Sequence, residues 1–194
     1  MAWTKRFAAC GLLASIFSLP ACAGDGGSSS SFPPGVPSVV FDIDGTLTPT
    51  PVNLFGVRLD AARAVRAYVD KGYAVIYATA RPLLFEDYTG NWLATNGFPD
   101  LPLHMATLEQ SGDPIPYKTA LLAALEQDEG RVFVYGYGDS TTDFAAYAAV
   151  GIPAAETWAL LRGGESECQP GDYEACIPGY TEHLAYIEAQ PDVE

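Results

Sequence analysis

Hydrophobic and polar positions along the chain alternate between two periods. Residues 38–41 form a short β-rich run that ends in acids. Residues 59–70 carry apolar side chains at 61, 62, 64, 65, 67 and 68, one face of a helix closed by Lys71 and Gly72. Residues 73–78 are continuously apolar, as a parallel strand buried on both faces would be. The same reading predicts helices over 84–95, 116–127 and 142–149, strands over 101–105, 131–135 and 152–158, and a short helix over 181–189. A loop fills 46–57, and Gly136 to Ser140 reads as a turn. Strands alternating with helices predict an α/β domain with a mostly parallel sheet flanked by helices. Right-handed crossovers would bring the loops at the carboxyl ends of the strands to one edge.

The first 37 residues break this pattern. Lys5 and Arg6 precede a mostly apolar stretch over 7–19, too short to span a bilayer comfortably. Leu19-Pro20-Ala21-Cys22 follows and resembles a bacterial lipoprotein signal, which makes 1–21 a signal peptide and Cys22 the lipidation site. An ordinary secretory signal cut near Ala23 is the alternative. Residues 22–37 are rich in Gly, Ser and Pro and read as a flexible tether. The folded domain is then 38–194, exported and held on a membrane by its anchor, with the outer membrane favoured in a two-membrane bacterium. Composition agrees with one globular domain: 48% of residues are hydrophobic and 18% charged. The formal charge of -14 leaves no basic surface for nucleic acid, and it would repel anionic lipid headgroups. Cys168 and Cys176 flank a turn-like segment with Pro170 and Gly171, so in an exported protein they are expected to form a disulfide.

Chemistry concentrates at the predicted strand ends. Asp42 and Asp44 follow the first strand, with Gly45 and two threonines after them. Paired carboxylates repel, and a cation or shared proton relieves them. Thr79, Ala80 and Arg81 follow the second strand, Lys118 lies near a helix start, and Asp139 and Asp143 follow a late strand. Taken singly each has a plain explanation. Asp42 and Asp44 suit an acidic turn, Thr79 a strand end, and Asp139 and Asp143 helix caps. Lys118 is the least easily dismissed, because a cation in a helix's first turn opposes the macrodipole.

Together, Asp-Ile-Asp-Gly-Thr at 42–46, Thr79, Lys118 and Asp139 with Asp143 resemble the haloacid dehalogenase superfamily of phosphohydrolases over roughly 38–155. Asp-Ile-Asp-Gly-Thr with Ala-Thr-Ala-Arg looks most like its lipin-type branch, the magnesium-dependent phosphatidate phosphatases. The fourth motif, Gly138-Asp139-Ser140 ahead of Thr142-Asp143, is closer to the general superfamily pattern. The resemblance implies a Rossmann-like fold and a phosphomonoesterase with Asp42 as nucleophile and Asp44 as proton donor and acceptor. It implies Mg2+ held by Asp42, Asp139, Asp143 and the carbonyl of Asp44. Thr79, Ala80 and Lys118 would bind the phosphoryl group, with Arg81 on the substrate or on an acid. The implied substrate is a phosphate monoester, a phospholipid in the leading reading. Soluble esters, or lipid binding without turnover, are the alternatives. Superfamily members of that last kind typically lose the nucleophilic aspartate. The intervals 42–79 and 79–118 leave no room for a large cap, so the site should be open. Val52, Leu54, Phe55, Leu83, Leu84 and Phe85 stand near its mouth, about half of them expected in the core. His104 and His183 are expected to be structural or surface residues.

Overall fold

The computed structural model describes residues 32–193. The signal-like segment, Cys22 and most of the tether lie outside the described residues. Six parallel strands form one sheet in the order β3-β2-β1-β4-β5-β6. They are β1 (Pro37–Phe41), β2 (Ala74–Pro82), β3 (Leu103–Ala106), β4 (Val132–Gly138), β5 (Thr157–Leu160) and β6 (Ala175–Ile177). The helices are α1 (Ala61–Asp70), α2 (Glu86–Thr95), α3 (Pro114–Glu129), α4 (Thr141–Ala149) and α5 (Leu184–Glu188). This is the expected Rossmann-like α/β architecture.

Strand alternation divides the core between the two faces. In β1, Val39 and Phe41 join the cluster with Val65 and Tyr68 of α1 and Leu184 and Ile187 of α5. Val40, between them, joins Leu122 and Leu125 of α3 and Ala146 and Tyr147 of α4. β1 is central and both its faces are covered, so its end is a fixed platform for whatever follows Phe41.

Several boundaries differ from the sequence pattern for local reasons. β2 continues through Thr79, Ala80 and Arg81 to Pro82 instead of ending at Ala78. Its pairing with β3 slips between Thr79 and Pro82, an irregularity that accommodates the proline. β4 runs on through Gly136 and Gly138, which the pattern assigned to a turn. A Cβ on Gly136 would lie 2.6 Å from the Tyr147 ring, and one on Gly138 2.4 Å from Asp143 Cβ. These glycines mark close approach of α4, not a turn. α3 starts two residues earlier than expected, since the first helical N–H groups need no intrahelical acceptor and both Pro114 and Pro116 fit there. Lys118 therefore lies beyond the first residues of the helix, and the macrodipole argument for it weakens. The segment before α2 is a 3-10 turn, Leu83–Phe85, and another, Ala154–Glu156, delays β5.

β6 was not anticipated. It adds to β5 and carries Cys176, which is disulfide-bonded to Cys168 with Cα atoms 5.7 Å apart. The six apolar residues near the mouth are not core. Val52, Phe55, Leu83, Leu84 and Phe85 are exposed and Leu54 is half-buried. Their loops lie beyond the sheet's edge, where no layer among the described residues covers them.

Candidate active site

The site forms at the carboxyl edge of β1, β2 and β4. The Asp42 N–H donates to the Tyr137 carbonyl (3.0 Å) and extends the sheet by one residue. The chain then turns sharply. The N–H groups of Thr46, Leu47 and Thr48 all converge on the Ile43 carbonyl, and Thr48 Oγ1 accepts from Gly45 N–H at 2.8 Å. Gly45 sits at φ 79°, and a Cβ there would fall 1.9 Å from Asp139 Oδ2. Only glycine satisfies both the backbone and the packing.

Four carboxylates face three cations. Lys118 Nζ donates to Asp42 Oδ1 at 2.6 Å and also to Asp143 Oδ1. Asp143 Oδ2 accepts from the N–H groups of Asp139 (3.2 Å) and Ser140 (3.1 Å) and from Ser140 Oγ (2.7 Å), so it both caps α4 and holds the lysine. Asp139 Oδ2 accepts from Arg162 Nε at 2.5 Å. Asp44 is gripped by the Arg81 fork, with Nε 2.9 Å from each carboxylate oxygen and Nη2 2.7 Å from Oδ1. Thr79 Oγ1 donates to Asp44 Oδ2 at 3.1 Å and accepts from Arg81 N–H. The Arg81 guanidinium is itself fixed, 5.8 Å over the Trp92 ring.

Asp42, Asp139 and Asp143 are buried and can each offer an oxygen within 4.8 Å of the others. Among the described residues, Asp42 Oδ2 has no hydrogen-bond partner. Burial pushes the Asp42 carboxyl well above the usual range, an effect that Lys118 opposes and the neighbouring acids reinforce. Burial, then Asp143, raises Asp139 to about 6, against the pull of Arg162. Burial lowers Lys118, but Asp143 and Asp42 together outweigh it, and the lysine stays cationic. A buried anionic oxygen lacking a partner among crowded carboxylates fits a hard divalent cation. The Asp44 side chain lies outside this cluster, turned to Arg81.

Of the predicted site residues, the structure therefore joins Asp42, Lys118, Asp139 and Asp143 directly, and Asp44, Thr79 and Arg81 as a second group. Arg81 meets an acid rather than open solvent, and Ala80 lines a cavity beside it. Sequence reading missed Arg162 and Arg58. Arg58 is buried and donates to the carbonyls of Gly45, Thr48, Pro49, Leu161 and Pro178, tying the first loop to the end of β5 and the tail. His183 is buried, and its Nε2 meets Tyr137 Oη at 3.0 Å, a structural role. A cavity of about 600 Å³ lies along α2 beside Glu86, Asp87 and Asp100 and contains none of these residues.

Comparison with known proteins adds a family. The model of the LNS2 domain of PITM 1-3 matches residues 39–161. Membrane-associated phosphatidylinositol transfer protein 1 of Homo sapiens is 33% identical over 162 residues, covering 80% of this chain and 12% of that protein. Protein retinal degeneration B of Drosophila melanogaster is 31% identical over 161 residues, covering 81% and 12%. The chain thus spans about an eighth of the length of these relatives. Among solved structures, a HAD-like phosphatase from Mesorhizobium loti has a TM-score of 0.55 at 18% identity, covering 81% of this chain and 88% of that one. D,D-heptose 1.7-bisphosphate phosphatase from B. bronchiseptica, complexed with magnesium and phosphate, has a TM-score of 0.50 at 17% identity, covering 78% and 99%. The fold is that of the haloacid dehalogenase phosphatases.

Proposed function

Because the chain belongs to the LNS2 domain family of PITM 1-3, we propose that it is a Mg2+-dependent phosphomonoesterase acting on phosphatidate-like lipid phosphates at a membrane surface. The observation that carries the catalytic half is Asp42. It is buried, held by Lys118 through one oxygen, and left without a partner at the other. Asp42 and Asp139, with Asp143 behind them, are the residues that would hold Mg2+. The cation supplies positive charge for the transferring phosphoryl group.

This chain's own residues then have distinct tasks. The Asp42 carboxylate attacks phosphorus in line, and the bond from phosphorus to the alcohol oxygen breaks. For Asp44 to act, Arg81 must release it; Asp44 then takes a proton from solvent and passes it to that oxygen. A water molecule, losing its proton to Asp44, then attacks the aspartyl-phosphate and frees inorganic phosphate and Asp42. Lys118 offsets the charge of Asp42 throughout. Thr79 keeps Asp44 oriented, and Arg162 holds Asp139.

The lipid half rests on the surface. Among the described residues, nine of the ten exposed large apolar side chains lie on segments at the carboxyl edge of the sheet, the edge that carries Asp42. Val132, at the start of β4, is the exception. Such clustering supports contact with an apolar phase. The relatives' names, membrane-associated phosphatidylinositol transfer proteins, point the same way. Export and a lipid anchor at Cys22 are a separate proposal, tested by the mass of the mature N-terminus.

A second reading, lipid-phosphate binding without turnover, is favoured by the grip of Arg81 and Thr79 on Asp44. One assay decides between the two. Phosphate release is measured from phosphatidate in mixed micelles and from a small aromatic phosphate, with and without Mg2+, using Asp42→Asn as control. Release from both, or from phosphatidate alone, supports the enzyme. Release only from the small ester removes the lipid half. Binding to phosphatidate without release from either supports the second reading.

A further inference from the structure

A cavity of about 280 Å³ opens directly beside Asp44 and Arg81. Apart from that ion pair its walls are apolar. Pro51 and Leu54 come from the loop after β1, Phe85 from the 3-10 turn after β2, and Tyr88 from α2. The two sides are clasped together. Tyr88 Oη donates to the Leu54 carbonyl at 2.8 Å, and Trp92 Nε1 donates to the Phe55 carbonyl at 3.3 Å. The Tyr88 and Phe55 rings also meet edge to face, with centroids 5.6 Å apart. A loop that would otherwise float above the sheet is thereby pinned as a wall.

We propose that this cavity is the leaving-group subsite, which admits the apolar alcohol portion of the phosphate ester and disfavours polyhydroxylated ones. The inference rests on the phosphomonoesterase reading above and adds what selects the ester. Asp44, the proton donor to the departing oxygen, forms part of the cavity wall, so the group behind that oxygen must enter here. Its polar wall atoms are few and engaged in the resting structure: Arg81 pairs with Asp44, which in the reaction turns to the departing oxygen, and the Tyr88 hydroxyl is spent on a carbonyl. A sugar hydroxyl entering would give up water without replacement, whereas a hydrocarbon segment loses nothing. Size sets a limit as well. The volume lies just below the range of ordinary ligand pockets, roughly 300–1,000 Å³. It suits the first atoms of an alcohol or a single chain, while further chains would run outward over the exposed apolar rim.

The test compares two alkyl phosphates whose alcohols leave with similar ease, octyl phosphate below its micellar concentration and glycerol 3-phosphate. The quantity read is the ratio of their kcat/KM values, in wild type and in Leu54→Ser, Phe85→Ser and Val132→Ser, each checked for an unchanged melting temperature. Wild type should favour octyl phosphate by at least about tenfold, the order expected for burying a few methylenes. Leu54→Ser and Phe85→Ser should each cut the ratio several-fold, and Val132→Ser, at the opposite edge, should leave it unchanged. Equal use of the two esters by wild type, or a ratio untouched by Leu54→Ser and Phe85→Ser, overturns the subsite while leaving the phosphatase reading intact. Hydrolysis of neither ester overturns the subsite, and both readings fall if phosphatidate in mixed micelles releases no phosphate either.

Discussion

Lys118→Met removes the cation shared by Asp42 and Asp143 while keeping a side chain of similar length. Both carboxylates are buried, and the lysine contacts each of them directly. Removing one partner from a buried ion pair typically costs 3–5 kcal/mol, because the partner charge stays desolvated and uncompensated. Against a usual domain stability of about 5–15 kcal/mol the variant should still fold. At roughly 2–4 °C per kcal/mol for a domain of this size, its midpoint should fall by about 10 °C. Urea denaturation in the presence of a chelator gives the difference directly. Adding Asp143→Asn to Lys118→Met should recover part of the loss, since it deletes one stranded charge, so the two changes will be strongly non-additive. Mg2+ should narrow the gap between wild type and Lys118→Met, because a divalent cation can replace the missing charge. A loss below about 1 kcal/mol, or additivity of the two substitutions, would refute the idea that Lys118 neutralises this cluster.

Other outcomes follow from the same geometry. Gly45→Ala should cost about 2 kcal/mol or more from its positive φ and the collision with Asp139, and it should abolish Mn2+ binding measured by calorimetry. Asp139 titrates near 6 in the folded chain against 3.8 in an unfolded one. The folded state thus binds more protons between those values, and its stability without divalent cations should fall as pH rises through that window. The contribution is of order 3 kcal/mol, and Asp42, raised for the same reason, adds in the same direction. Denaturation at pH 4 to 7 should show this slope flattened in Asp139→Asn and by Mg2+ in wild type. Replacing Cys168 and Cys176 by serine should cost about 2–3 kcal/mol, seen as a lower melting temperature that dithiothreitol no longer affects.

Much of this arrangement was legible before any coordinates. β1 reads as a strand because Ser38 to Phe41 is a short run rich in β-branched and aromatic residues, and the acids after it could only emerge at its end. The proximity of Asp42, Asp139 and Asp143 follows from parallel strands whose carboxyl ends share an edge. Other features depend on contacts that no local pattern records. Arg162 reaches Asp139 from the segment after β5, and Arg81 reaches Asp44 across 37 positions. Among the described residues Arg58 donates to carbonyls alone, which charge pairing would never have nominated. Gly136 and Gly138 resemble turn residues in sequence, and only the packing of Tyr147 and Asp143 against them explains why they stay in β4. β6 has three residues, too few to carry a period, and it forms because β5 offers it an edge.

The central claim is that Asp42 becomes covalently phosphorylated. The direct measurement is a single turnover with a phosphate monoester in Mg2+, quenched in acid, reduced with borohydride and mapped by mass spectrometry of the peptide containing residue 42. The account predicts homoserine at position 42, formed only with substrate present, and no phosphate release from Asp42→Asn. Release of phosphate with residue 42 unmodified, or at an undiminished rate in Asp42→Asn, would contradict it.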